Sequence, residues 1–142
     1  MRKSKKEEGN GMLFFDTSAA IEWLRGNKQI NDVYDGDQIA VSVLSVYELL
    51  WAAERKNKNT MRAAEIFIES CHIIQLDIED ARLAAFTKTK LIKKGADKSV
   101  IDILISATAE RAGLRLVTFD NDFRDIAGSS NLELIFLSSE KV

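Results

Sequence analysis

The chain has 142 residues, a formal net charge of −2, one cysteine and no proline, a length that fits a single domain burying roughly 68–70% of its unfolded surface. This balance excludes a polycationic nucleic-acid binder, so contact with a phosphate backbone must come from local basic patches or bound metal. Lone Cys71 excludes an intrachain disulfide, and no run reads as a signal peptide or is apolar for long enough to span a bilayer, so a cytoplasmic protein is expected.

The stretch from Met1 to Gly11 carries Arg2, Lys3, Lys5, Lys6, Glu7 and Glu8 without apolar periodicity. It is expected to be a disordered tail, with the domain running from residue 12 to 142 and Met12 an equal candidate for the native start. Short apolar runs then alternate with helical patterns, the signature of β-α-β units on a parallel sheet. In chain order the pattern predicts a strand over Met12–Phe15, a helix over Ser18–Arg25 stopped by Gly26, and a helical turn at Asn31–Tyr34. A strand over Ile39–Leu44 follows, then helices over Val46–Arg55 and Met61–Ser70. The second half reads as a strand over His72–Leu76, a helix over Ile78–Lys94 stopped by Gly95, and a helix over Lys98–Ala112 stopped by Gly113. A strand over Leu114–Phe119, a turn of helix at Asp122–Ile126 and a strand over Glu133–Leu137 complete the series. Glycine just past a periodic segment is a common helix stop.

Asp16 directly follows the first strand, Glu48 follows the second by four residues, and Asp120 directly follows the fourth. All three are therefore expected at the carboxyl edge of the sheet, where open parallel α/β sheets place ligands. Asp102 joins them because its helix runs into the fourth strand and so starts at that same edge. Its surroundings, Val100-Ile101-Asp102-Ile103-Leu104-Ile105, are apolar nearly all round, which predicts a buried helix in which an unpaired carboxylate costs several kcal/mol. Two carboxylates about 4 Å apart repel by about 4 kcal/mol at an effective dielectric near 20, so four gathered acids require a cation. Oxygen ligands select a hard ion, Mg2+ with Mn2+ as substitute, whereas zinc asks for Cys or His ligands, here limited to Cys71 and His72. Such a centre suits phosphodiester hydrolysis by metal-activated water.

Asp102 has few ordinary uses in an apolar helix, but the other acids each have one. Asp16 can cap the helix opening at Thr17-Ser18, Glu48 can close a capping box onto the Ser45 amide, Asp120 can cap the turn holding Asp122 and Phe123, and Asp122 can be a solvated turn residue. Asp97 is read as the N-cap of the helix bearing Asp102. Lys88, Lys90, Lys93, Lys94 and Lys98 gather between two helices, either as helix-dipole partners or as contacts to an RNA backbone. Trp23 and Trp51 read as core or interface and His72 as structural.

The pieces Phe15-Asp16-Thr17-Ser18, Leu24-Arg25-Gly26, Val43 to Leu50 around Glu48, Asp102 through Ala109, and Gly113 through Phe123 occur together in this order. In them the chain resembles the PIN-domain ribonucleases, and among these the VapC toxins of prokaryotic toxin–antitoxin pairs, from Met12 to about Leu137. The resemblance implies a three-layer α/β fold with a mostly parallel five-stranded sheet flanked by helices, and a Mg2+-dependent endoribonuclease that is the toxin of a type II pair. It assigns Asp16 and Asp102 as principal metal ligands, Glu48 and Asp120 as the remaining acids of the catalytic quartet, Asp122 as an auxiliary acid, and Thr17 or Ser18 as a hydroxyl near the metal. It further implies an RNA substrate, a homodimer, and a VapB-like antitoxin whose C-terminal segment covers the acidic pocket. Ser106 stands where alanine is commoner, and Phe119 where arginine often precedes the fourth acid. Two alternatives stay open: a PIN nuclease of RNA processing or quality control without an antitoxin, and a catalytically silent RNA- or protein-binding module. Phosphotransfer receivers and haloacid-dehalogenase-like phosphatases also set aspartates at strand ends, but the phosphatase motif needs a second Asp where this chain has Ser18.

Overall fold

The computed structural model describes residues 11–36 and 38–138; residues 1–10 of the expected tail lie outside the described residues. Strands β1 (Met12–Phe15), β2 (Gln38–Ser42), β3 (His72–Ile74), β4 (Leu116–Thr118) and β5 (Leu134–Phe136) form one sheet in the order β3-β2-β1-β4-β5, with every pairing parallel. The connections carry six helices, α1 (Thr17–Leu24), α2 (Val43–Glu54), α3 (Lys58–Ser70), α4 (Ile78–Lys93), α5 (Val100–Ala112) and α6 (Asp122–Gly128), and a 3-10 turn at Lys28–Asp32. Among the described residues no helix is long and apolar enough to cross a membrane.

Successive residues of a strand point to opposite faces, and β1 shows how this builds three layers. Leu13 and Phe15 pack with Ala19, Ala20, Leu49 and Phe67 on one face, while Phe14 packs with Leu91, Ile103, Ile105, Phe123 and Ile126 on the other. Helices α1–α3 therefore cover one face and α4–α6 the other. Leu13, Phe14 and Phe15 are all fully buried, which is why β1 reads as an unbroken apolar run instead of an alternating one.

The chain steps outward from β1 to β3 and then returns to β4 on the far side of β1. The reversal between β1 and β4 is a topological switch point, where the diverging connections leave a crevice at the carboxyl edge.

Two of the boundaries that differ from the sequence reading bear on the acids, and both are set by an N-cap. Helix α2 begins at Val43, three residues earlier than expected, because Ser42 and not Ser45 is its N-cap, its Oγ accepting the Leu44 amide. Likewise α5 is capped by Ser99, whose Oγ accepts the Asp102 amide, and not by Asp97, whose carboxylate instead takes the Lys88 ammonium at 2.8 Å. Gly113 closes α5 at φ 71°, a left-handed conformation that glycine adopts without steric cost.

The end of α5 remote from Asp102 is braced. Asp80, fully buried in the first turn of α4, accepts from Arg111 with both oxygens and from the Thr108 hydroxyl, while Arg111 also donates to the Gln75 carbonyl. Burial alone would raise the Asp80 carboxyl, but the Arg111 guanidinium and the Thr108 hydroxyl hold it below the ordinary range.

Phe14→Ala, which opens a void between the sheet and α4–α6, is expected to cost about 3–5 kcal/mol in urea unfolding. Phe86→Ala, at a side chain 63% exposed on α4, should stay within about 0.5 kcal/mol of the parent.

Candidate active site

Beyond Phe15 the chain keeps its place in the sheet for one more residue, the Asp16 amide donating to the Val117 carbonyl at 3.1 Å. The carboxylate is thereby fixed at the switch point. Its Oδ1 accepts from the Ala19 amide at 2.8 Å and from Ser18 Oγ at 2.8 Å, and its Oδ2 accepts from Thr118 Oγ1 at 2.6 Å. The cap expected of Asp16 is therefore present, on a side chain only 2% exposed. Burial outweighs the three donors and, with the charge of Asp120 adding to it, pushes the carboxyl up to about 6.

Thr118, which the sequence reading did not single out, joins two of the acids. Its hydroxyl donates to Asp16 at the end of β1 and accepts the amide of Asp120, just past the end of β4, at 2.9 Å. Ser18 closes the same knot, its Oγ accepting the Phe119 amide at 2.9 Å. The available signal was a hydroxyl at the last position of an apolar strand, two residues before an acid, where valine or isoleucine would otherwise fill the sheet.

Asp120 Oδ1 accepts the Asp122 amide at 2.9 Å, so the expected turn cap is present there too. Asp102 lies half-buried in the first turn of α5, and it, Asp120 and Asp122 each offer a carboxylate oxygen within 4.8 Å of the others. Its carboxyl is raised to about 6, by burial first and then by the charge of Asp120, with Glu48 and Asp122 contributing. The Asp16 carboxylate stands outside this trio, tied to it through Thr118 and Asp120.

The capping-box reading of Glu48 is corrected by the earlier start of α2. Glu48 falls in the second turn, and its Oε1 accepts instead from the Thr17 hydroxyl of α1 at 2.5 Å, with Thr17 Oγ1 also 2.9 Å from Ser45 Oγ. Thr17 thus holds Glu48 toward the rim while Ser18 holds Asp16. Lys98 borders the trio, its ammonium 3.0 Å from Asp125 and 3.5 Å from Asp122; Asp102 itself has no ion pair among the described residues.

Three oxygens at this spacing, with the carboxyl of Asp102 among them and that of neighbouring Asp16 pushed upward by burial and like charge, fit a hard divalent cation. The trio holds no His or Cys, which disfavours zinc. His72 is exposed at the start of β3, and Cys71, half-buried before it, has its thiol pushed up to about 11 by burial. Trp23 packs edge-on between Phe15 and Tyr34, as a core residue should, whereas Trp51 is 53% exposed under the Arg55 guanidinium.

The family model described as the PIN domain matches residues 13–129. Among curated proteins, Ribonuclease VapC5 of Mycobacterium tuberculosis is 27% identical over 124 residues, spanning 84% of this chain and 91% of that protein. Among solved structures, VapBC2 from Rickettsia felis bound to a DNA fragment of its promoter has a TM-score of 0.76 at 21% identity, covering 89% of this chain and 99% of that one. VapBC-5 from Mycobacterium tuberculosis has a TM-score of 0.72 at 22% identity, again over 89% and 99%. At these identities the structural likeness shows the fold.

The raised Asp102 carboxyl has a consequence for stability. With its folded value near 6 against an ordinary 3.8, Asp102 favours folding while protonated, and that contribution disappears as pH rises through 6. Asp102→Asn should therefore match the parent near pH 4 and exceed it above pH 6.5, in metal-free thermal melts. The gain should be on the order of 1 kcal/mol, discounted because the group is part solvated.

Proposed function

The chain belongs to the PIN-domain family, and from that premise we propose that it is a Mg2+-dependent endoribonuclease, the toxin of a type II toxin–antitoxin pair, acting in the cytoplasm. The observation that carries this reading is the approach of Asp102, Asp120 and Asp122 to within 4.8 Å, with Asp16 linked to Asp120 through Thr118. Asp16, Glu48, Asp102 and Asp120 are the proposed catalytic acids, Asp16 and Asp102 the principal metal ligands, Asp122 an auxiliary acid, and Thr17 and Ser18 the hydroxyls that orient Glu48 and Asp16. Bound there, Mg2+ or Mn2+ supplies Lewis-acid activation of water and neutralises charge developing on the phosphoryl group.

The protein's own contribution is preorganisation. Asp16 is held by three donors and Glu48 by Thr17, so neither must be ordered when the cation and the RNA arrive. Because Asp16 and Asp102 have carboxyls near 6, cation binding is coupled to loss of protons just below neutral pH.

The partner reading draws on the solved relatives, one of which is described as a member of the VapBC family of toxin–antitoxin systems. On this chain a groove of about 410 Å³ runs between α1, α2 and α3, with Ile21, Leu24, Leu49 and Ala53 forming apolar walls beside Arg25 and Lys56. It suits an amphipathic antitoxin segment with acidic flanks. A homodimer belongs to the same proposal, and the apolar depression of Ala81, Ala85, Val100 and Leu104 on the opposite layer offers it a surface.

Purified protein should cut single-stranded or structured RNA with Mg2+ or Mn2+ and stop on addition of EDTA. Asp16→Asn and Asp102→Asn should each lower the rate by about 10²-fold or more with circular dichroism unchanged, and undiminished cleavage by both variants would end the nuclease reading. Thr118→Val, which leaves every carboxylate in place, should weaken Mn2+ binding by about 10–100-fold in calorimetry.

A further inference from the structure

The lysines between α4 and α5 separate into two kinds. Lys88 is paired with Asp97 at 2.8 Å and Lys98 with Asp125 at 3.0 Å, so these two fix the loop leading into α5. Lys90 and Lys94 form no ion pair among the described residues. The Lys94 ammonium donates to the Gly128 carbonyl at 3.3 Å, and the Lys90 ammonium lies 4.4 Å above the ring of Phe86.

Both line a groove of about 290 Å³ between α4 and the C-terminal end of α6, together with Phe86, Ser129, Ser130 and Glu110. Ser129 is 3% exposed and its hydroxyl has no hydrogen-bond partner among the described residues, a condition that ordinarily costs about 1–3 kcal/mol. Glu110, the acid in this lining, is engaged with the Asn131 amide at 3.4 Å. Two ammonium groups without a carboxylate partner, one of them resting on a face of the 63% exposed Phe86, are a combination that binds single-stranded nucleic acid, cations tracking the backbone while a base stacks on the other face of the ring.

The groove and the acidic rim lie at opposite ends of α6. Helix α6 begins at Asp122 within the rim and ends at Gly128 beside Lys94, so the two sites are separated by one short helix, about 10 Å, a span of about three stacked nucleotides. We infer that this groove is a subsite for the phosphodiester backbone of the RNA strand that enters the rim, with Lys90 and Lys94 contacting phosphates and Phe86 stacking a base. The subsite rests on the nuclease reading and deepens it by locating the substrate track. A protein partner is the poorer match, because the groove lacks the long apolar wall present between α1, α2 and α3.

The test uses the full chain in EDTA, which prevents cutting, and a fluorescent single-stranded oligoribonucleotide of about ten nucleotides, with affinity followed by anisotropy over about 50–300 mM salt. Lys90→Ala/Lys94→Ala should lower the slope of log affinity against log salt by about 1.4, since each phosphate contact to a single strand contributes about 0.7. Phe86→Ala should weaken binding about five- to hundred-fold while leaving the slope unchanged. Should the double variant lose stability through the Gly128 contact, Lys90→Ala alone, with a slope change of about 0.7, decides the matter. Lys58→Ala/Arg62→Ala, at exposed positions on α3, should move neither quantity. An unchanged slope in the groove variants, an equal loss in the α3 pair, or loss of antitoxin binding with RNA affinity intact would overturn the subsite. The nuclease reading fails separately, if the parent protein leaves the oligonucleotide uncut when Mn2+ is restored.

Discussion

A carboxylate sealed into the switch point of a parallel sheet governs the geometry of the rim. Transferring an ionised carboxylate out of water is among the most expensive steps in folding unless donors replace the water, and Asp16, 2% exposed, takes its donors from two directions. The Ala19 amide and Ser18 hydroxyl come from the start of α1, and the Thr118 hydroxyl comes from β4. The bonds that make Asp16 tolerable are therefore the bonds that fasten the ends of β1 and β4 together, and Asp120 follows two residues after Thr118. The spacing between acids on different strands is a by-product of satisfying one of them.

Much of this was legible from residue order. The β1 boundaries are legible because Met12–Phe15 is an apolar run beginning after Gly11, with Leu13, Phe14 and Phe15 fully buried, and Gly113 marks the stop of α5. The meeting of Asp102 and Asp120 followed from strand ends and helix direction, whereas Asp122 was assigned only by the family resemblance. What escaped was decided between competing hydroxyls and carboxylates of equal local propensity. Ser42 and Ser45 both suit an N-cap, and choosing Ser45 moved the start of α2 by three residues and turned Glu48 into a capping-box partner, whereas Thr17, 31 positions away in sequence, claims it. Asp97 and Ser99 posed the same ambiguity, resolved by Lys88, which occupies Asp97. Thr118 offered only a hydroxyl ending an apolar strand, a sign that does not name its partner, which lies 102 residues away.

The two helical layers give the rim different neighbours. The α1–α3 side carries a concavity with apolar walls of Leu24, Leu49 and Ala53. The α4–α6 side carries, besides the apolar depression of Ala81, Ala85, Val100 and Leu104, a polar and cationic groove lined by Lys90 and Lys94. A chain with net charge −2 and an acidic cleft repels polyanions at long range, so a phosphate backbone approaches it favourably only where positive charge is locally unspent. The lysines at the end of α4 are such a place: among the described residues Lys90 and Lys94 form no ion pair, and Glu110, the acid lining their groove, accepts the Asn131 amide.

Helix α5 sets two solutions to the buried-acid problem side by side. Near its last turn, Asp80 is fully buried and is matched by Arg111, a permanent cation with fixed geometry, and its carboxyl falls below the ordinary range. At its first turn, Asp102 faces Asp120, Asp122 and Glu48 with no ion-paired partner among the described residues, and its carboxyl rises to about 6. The same helix thus shows that this chain can supply an arginine where a structural ion pair is wanted. A resident guanidinium at Asp102 would relieve the repulsion permanently and fill the space between the three carboxylates, whereas Lys98, drawn aside to Asp125, relieves it only at the edge. The strain left at the centre is the free energy with which an exchangeable divalent ion can be bound. A permanent cation paired at one end of α5 and, among the described residues, none at the other is what would separate the proposed metal site from a salt bridge on otherwise similar scaffolding.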